Sequence, residues 1–187
     1  MSAQRFHPDR GRFEGRFARE ETAGKRAEKL VMSLLEGTGR FQCFPSDPYA
    51  DELRKIDFQV LDCENKANGR IAVQLKTRPL VEGENVELLN SGIIPLEVLS
   101  DRLSSAVNQF GEIVDDNEAG VLIQEMTLAI EEYSKFIVNR VRRAHGVVGS
   151  EEILAFIETV RLKVLELYKR FNENNRNRGQ NRVFDPV

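Results

Sequence analysis

The sequence predicts an α+β fold, with its strands gathered in the first half of the chain and helices filling the second. Three observations carry that expectation. Residues 56–61 and 70–76 alternate apolar and polar side chains with the period of two expected of half-buried strands. Ahead of them, Ala23, Ala27, Leu30, Val31, Leu34 and Leu35 recur at helical spacing. Beyond them, apolar stripes of the same period run almost to the end of the chain.

Length and composition bound the possibilities. A chain of 187 residues is most simply one domain and can bury a sizeable core without disulfides. Cys43 and Cys63 are too few for a disulfide framework, and neither a signal peptide nor an apolar run of transmembrane length is present. A cytoplasmic protein with no membrane partner is therefore expected. His7 and His145 are the only histidines, which argues against a zinc site of nitrogen and sulfur ligands. A metal, if bound, is expected on oxygens.

The net charge of -3 hides an asymmetry. Residues 1–20 hold five arginines against three acids, and residues 170–187 hold four against two, so the segment between them carries -7. Arginine-rich ends on an acidic body suit contacts with phosphates, and they equally suit solvated termini.

In order along the chain, residues 1–19 repeat an Arg-Phe pair at Arg5-Phe6, Arg12-Phe13 and Arg16-Phe17. They read as a basic arm whose phenylalanines either stack on bases or pin the arm to its own core. A helix follows over residues 20–36, with Gly37 or Gly39 as its stop and Glu28 on the margin of its buried stripe. Residues 40–44 form a short strand ended by Pro45, and residues 46–55 a polar connection. The two alternating strands come next, joined through Asn68-Gly69, a pair that favours a hairpin. Gln74 and Lys76 share one face of the second strand, and Asp57 starts the first away from its Ile56, Phe58 and Val60 row. A carboxylate, an amide oxygen and an ammonium are thus expected at one end of a sheet.

Residues 77–92 read as loop. Pro95 suits a first helical position, and the stripe from Leu96 through Leu103 and Phe110 to Val114 predicts a helix to about Asp116. Residues 121–123 read either as a fourth strand or as the opening of a helix with Met126, Ile130, Tyr133, Ile137 and Val141. Ser150 opens a last helix, and residues 173–187 read as a disordered polar tail. The expected organisation is a basic arm (1–19), an α/β core (20–125), a helical extension (126–172) and that tail.

The order of a helix with a marginal Glu, a short strand, a strand opening Ile-Asp and a strand closing Gln-x-Lys resembles the PD-(D/E)XK, or restriction-endonuclease-like, nuclease superfamily. The matching residues are Gly24-Lys25-Arg26-Ala27-Glu28, Lys55-Ile56-Asp57-Phe58 and Val73-Gln74-Leu75-Lys76, within residues 20–78. The resemblance implies a mixed sheet flanked by helices, whose later core elements, a second helix and a fourth strand, would fall on residues 96–116 and 121–123. It also implies a Mg²⁺- or Mn²⁺-dependent nuclease acting on nucleic acid, with DNA the favoured substrate and a homodimer suited to cutting both strands of a duplex.

In that family's terms Asp57, Gln74 and Glu28 are the metal-site residues. Lys76 joins them as the catalytic lysine, able to orient water and offset charge on the phosphorus. Gln74 replaces the family's usual acid and removes one negative charge; Asp51 and Glu64 are nearby acids able to restore it. Arg12, Arg16, Arg19, Lys25 and Arg78 are the candidates for phosphate contact. Two other readings stay open: a nuclease-like module that binds nucleic acid without cutting it, and an interaction protein whose C-terminal helices pack on a partner. No phosphate-cradling Gly-rich loop, nucleophile elbow or zinc-protease helix is present.

Overall fold

The structure is a computed structural model that describes residues 22–79, 82–108, 110–142 and 149–180. The basic arm with Arg12, Arg16 and Arg19 lies outside the described residues, as do residues 181–187. The architecture is α+β: a four-stranded mixed sheet flanked by helices, continued by a C-terminal helical region.

Helix α1 (Ala23–Gly37) starts where the Thr22 hydroxyl accepts from the Lys25 amide, and it buries Ala27, Val31, Leu34 and Leu35. Strands β1 (Phe41–Pro45), β2 (Phe58–Asp62) and β3 (Arg70–Lys76) pair antiparallel in sequence, and β4 (Ile93–Glu97) adds parallel to β3, giving the order β1-β2-β3-β4. The β2–β3 hairpin expected from Asn68-Gly69 is present, with a single 3₁₀ turn over Lys66–Asn68 and Gly69 at φ +71°. Parallel neighbours need a crossover between them. Here it is α3 (Glu82–Asn90).

Phe58, Val60, Val73, Leu75, Ile94 and Leu96 line the buried face of the sheet and join Val31 and Leu35 of α1 in one core. Leu122, Met126 and Ile130, from α5 (Asp116–Arg142), complete it. Each such side chain, moved from water into the core, contributes about 1.5–3 kcal/mol. α4 (Ser100–Ala106) and α6 (Ser150–Gln180) close the far side. Among the described residues no helix is long and apolar enough to cross a membrane.

Several expectations are corrected. Residues 46–55 contain α2 (Pro48–Arg54), capped by the Asp47 carboxylate on the Ala50 amide at 2.8 Å. Residues 77–92 contain α3. The second helix and fourth strand of the core are α3 and β4, not residues 96–116 and 121–123. Pro95 stands inside β4, opposite Gln74, where its missing N–H is tolerated because β4 is an edge strand. Residues 121–123 are helical, and α5 runs unbroken through residue 125, where the core was expected to end. α6 continues to Gln180, well into the expected disordered tail.

Candidate active site at the start of β2

Strand β2 opens irregularly, and the irregularity aims Asp57. Phe58 is the partner of Val73, yet the Asp57 amide also donates to the Val73 carbonyl at 3.0 Å. Two residues of β2 thus address one of β3, as in a β-bulge, which bends a strand and redirects a side chain. The Asp57 carboxylate turns onto β3, where Oδ2 accepts from the Leu75 amide at 2.6 Å. That amide lies in the peptide link between Gln74 and Leu75. The carboxylate is therefore anchored on the backbone inside the Gln74-Leu75-Lys76 tripeptide.

Helix α2 delivers a second acid to this end of the sheet. It stops at Lys55, whose φ of 55° makes it the one described non-glycine residue in the left-handed region, and the chain turns directly into Ile56 and Asp57. The Lys25 ammonium of α1 bridges Glu28 Oε2 at 2.8 Å and Asp51 Oδ2 at 2.5 Å.

The charges here are incompletely balanced. Burial raises the Asp57 carboxyl above its ordinary range; the Leu75 N–H, Lys25 and Lys76 oppose that rise and Asp51 adds to it. Burial likewise raises Glu28, with Asp57 and Asp51 adding to the effect against Lys25. Burial works against the Lys25 charge, but its bonds to Asp51 and Glu28 prevail and push it up to about 12. Glu28, Asp51 and Asp57 thus share the field of one close cation.

Gln74 and Lys76 open on a cleft of about 160 Å³ lined also by Arg54 and Lys55 at the end of α2 and by Glu84 and Glu87 of α3. They share one face of β3, where Gln74 is only 9 % exposed and the Lys76 side chain 18 %, because α3 folds over that face, and the Lys76 ammonium lies 3.5 Å from Glu84. Arg78 is exposed just beyond β3. Glu64 is at the other end of β2, paired with Arg40, so of the two nearby acids only Asp51 joins the cluster.

Arg54, Lys55, Glu84 and Glu87 were missed by the sequence reading. The Asp47-Pro48 pair, an N-cap followed by proline, is the signal that would have found α2 and its cations. Helix α3 offered no comparable signal.

Among the described residues no three His, Cys, Asp or Glu side chains are grouped to hold a metal ion. A hard cation that keeps several of its waters needs fewer protein ligands than that. Asp57, with a second carboxylate oxygen beyond the one bound to Leu75, and the Gln74 amide are oxygen donors of the kind that Mg²⁺ or Mn²⁺ takes. No family model, curated protein or solved structure matches the chain.

Proposed function

We propose that this chain is a metal-dependent nuclease that hydrolyses phosphodiester bonds of nucleic acid, DNA first among them. The observation that carries the reading is the Asp57 carboxylate held at 2.6 Å on the Leu75 amide, between Gln74 and Lys76. It ties the Asp57 carboxylate to the backbone between Gln74 and Lys76, which supports the PD-(D/E)XK-like reading. The order α1-β1-α2-β2-β3-α3-β4, with Glu28 on α1 and with α2 added between the first two strands, supports the same resemblance.

Asp57 and Gln74 would hold Mg²⁺ or Mn²⁺, which supplies polarisation of the scissile phosphate and a more acidic water when bound. Asp57 brings the full negative charge and Gln74 a carbonyl oxygen. Lys76 places an ammonium where charge develops on the phosphoryl oxygens, an interaction strongest in the transition state. Glu28, raised by burial, is suited to hold a water on the α1 side. Arg54 and Lys55 line the cleft and Arg78 is exposed just beyond β3, cations suited to the phosphate backbone, and Arg12, Arg16 and Arg19 would extend that role to the arm. Lys25 is engaged with Glu28 and Asp51, so its part is to hold the acids in place. A homodimer would suit cleavage of both strands of a duplex, and a cytoplasmic location fits both cysteines being free thiols.

Gln74 favours one second reading, a module that binds nucleic acid without cutting it, since the site lacks the acid that the pattern usually has there. Incubation of the chain with single- and double-stranded DNA and RNA, with Mg²⁺, Mn²⁺ or a chelator, separates the two. Cleavage that a chelator stops and Asp57→Asn abolishes is the expected result. Salt-dependent binding without cleavage, in both the parent and Gln74→Glu, would overturn the nuclease reading and leave the module.

A further inference from the structure

The loop between α4 and α5 holds apolar side chains in water by its own construction. Its ends are tied by the Val107–Ile113 bridge and by the Val114 amide, which donates to the Ala106 carbonyl at 2.9 Å. Inside it, Asn108 Oδ1 accepts from the amides of Phe110 and Glu112 at 2.9 and 3.0 Å. The Gly111 amide donates to the Asn108 carbonyl at 3.0 Å, and Gly111 takes a φ of +84° that suits glycine. The turn is closed on itself, and its apolar residues stay outside. Phe110, Ile113 and Val114 are 79 %, 50 % and 58 % exposed. Three such side chains on one tight turn form an apolar patch, and patches of that kind mark interaction surfaces.

The patch is flanked by one sign of charge. Glu112, Asp115 and Asp116 are exposed, and residues 107–118 contain no Lys or Arg. The Asn108 amide group donates to Glu112, and the backbone amides of Asn117 and Glu118 donate to Asp115; these donors are neutral and leave both charges in place. A fitting occupant therefore brings aromatic side chains and cations together. The chain's own N-terminal arm has that composition, with Phe13 beside Arg12 and Phe17 beside Arg16. It is also tethered within reach. The loop rests on α1, since a Cβ added to Gly111 would lie 3.5 Å from Leu30 Cδ2. Leu30 stands about 12 Å along the helix from Thr22. Extended chain from Thr22 carries Phe17 up to about 17 Å and Phe13 up to about 30 Å.

We infer that the α4–α5 loop is the docking site of the chain's own N-terminal arm, with Phe13 and Phe17 on Phe110, Ile113 and Val114, and Arg12, Arg16 and Arg19 beside Glu112, Asp115 and Asp116. The tether makes the encounter intramolecular, at an effective concentration of about millimolar, so individually weak contacts hold the arm. Docked in this way, the arm keeps its arginines on carboxylates. On the nuclease reading, on which this one consequence rests, nucleic acid competes with the three acids for them.

The test uses the full chain without nucleic acid. A nitroxide is attached at Ala18→Cys in a Cys63→Ser background, Cys43 being buried, and amide signals are followed by nuclear magnetic resonance. The signals of residues 110–116 are expected to lose intensity beside the oxidised label and to regain it on reduction. Phe13→Ser combined with Phe17→Ser should abolish that loss, and so should Phe110→Ser, which removes an exposed side chain and no core packing. Full intensity at residues 110–116 with the arm unaltered, or a loss that survives unchanged without Phe13 and Phe17, would overturn the inference. So would a loss in isotope-labelled chains without nitroxide mixed with spin-labelled chains, because the arm would then dock on a second copy. None of these readouts involves cleavage, so a failure of the nuclease reading leaves the docking inference standing.

Discussion

The two ends of β2 each carry a partly buried aspartate, and the two are treated in opposite ways. At the far end, Asp62 accepts from Arg40 Nη2 at 2.8 Å, from Asn65 at 2.9 Å and from the Glu64 amide at 2.9 Å. Burial opposes its charge, yet these donors outweigh burial and bring it down to about 2. At the near end, Asp57 has one backbone donor, a cation already shared by two other acids, and a carboxyl raised by burial. Asp62 is finished by its own chain and holds the β2–β3 turn. Asp57 is under-compensated, and an under-compensated buried acid beside a cleft is the kind of group on which chemistry is built. The contrast rests on partners, since both residues are aspartates of one strand.

The largest effect expected is on chemistry at the near end. Lys76→Ala should lower the rate of nucleic-acid cleavage at least about a hundredfold, the range typical for removing a group that stabilises transition-state charge. Substrate affinity should stay within about threefold, since the interaction is made mainly after binding. Its 3.5 Å approach to the half-exposed Glu84 is worth no more than about 1 kcal/mol, so the melting temperature should stay close to the parent's. Equal loss of binding and of rate would make Lys76 a phosphate anchor only.

A smaller effect, on stability, separates the two aspartates directly. Asp62→Asn should destabilise the fold by about 2 kcal/mol, the worth of a carboxyl held at about 2 against an ordinary 3.8. Asp57→Asn, measured by the same denaturant melts at pH 7, should cost far less or nothing, because it removes a charge that burial disfavours.

The two ends should also part company in their dependence on pH. Asp62, lowered on folding, adds stability that is complete above its ordinary value and is lost as the pH falls through about 2. Asp57 and Glu28 are raised on folding, so they bind more protons in the folded state, and stability should decline as the pH rises above about 4 through their raised values. Asp57→Asn should flatten that decline and Asp62→Asn the acid limb, in melts recorded from pH 2 to 8. The smallest effect belongs to Lys55, held at φ 55°. Lys55→Gly should stabilise by about 1 kcal/mol, since glycine carries no Cβ penalty there.

Much of this contrast was legible in the sequence. The alternation of residues 70–76 with the Asn68-Gly69 turn gave the hairpin, and the stripe from Ala27 to Leu35 gave α1 with Glu28 on its margin. Asp57 was expected to face away from Phe58 by simple alternation; the bulge at Val73 and the bond to Leu75 have no signature in residue type. Helix α3 was unreadable because its segment, Glu-Gly-Glu-Asn-Val-Glu-Leu-Leu-Asn, has a glycine near its start and only a weak apolar stripe. Strand β4 was misread for a related reason: Ile93, Ile94, Pro95 and Leu96 are all buried, and a strand buried on both faces shows no alternation. The burial of Gln74 and Lys76 depends on α3, so it could not be seen until that helix was found.

The most direct test of the contrast is a Mg²⁺ titration followed by thermal melting at pH 7 in the parent, Asp57→Asn and Asp62→Asn. A cation that binds the folded state alone stabilises it by about 2.7 kcal/mol at a hundred times its dissociation constant. The parent and Asp62→Asn should both gain stability with Mg²⁺ at similar midpoints, while Asp57→Asn gains little or none. A Mg²⁺ response that is absent from the parent, or that survives unchanged in Asp57→Asn, would contradict the assignment of the start of β2 as a metal site.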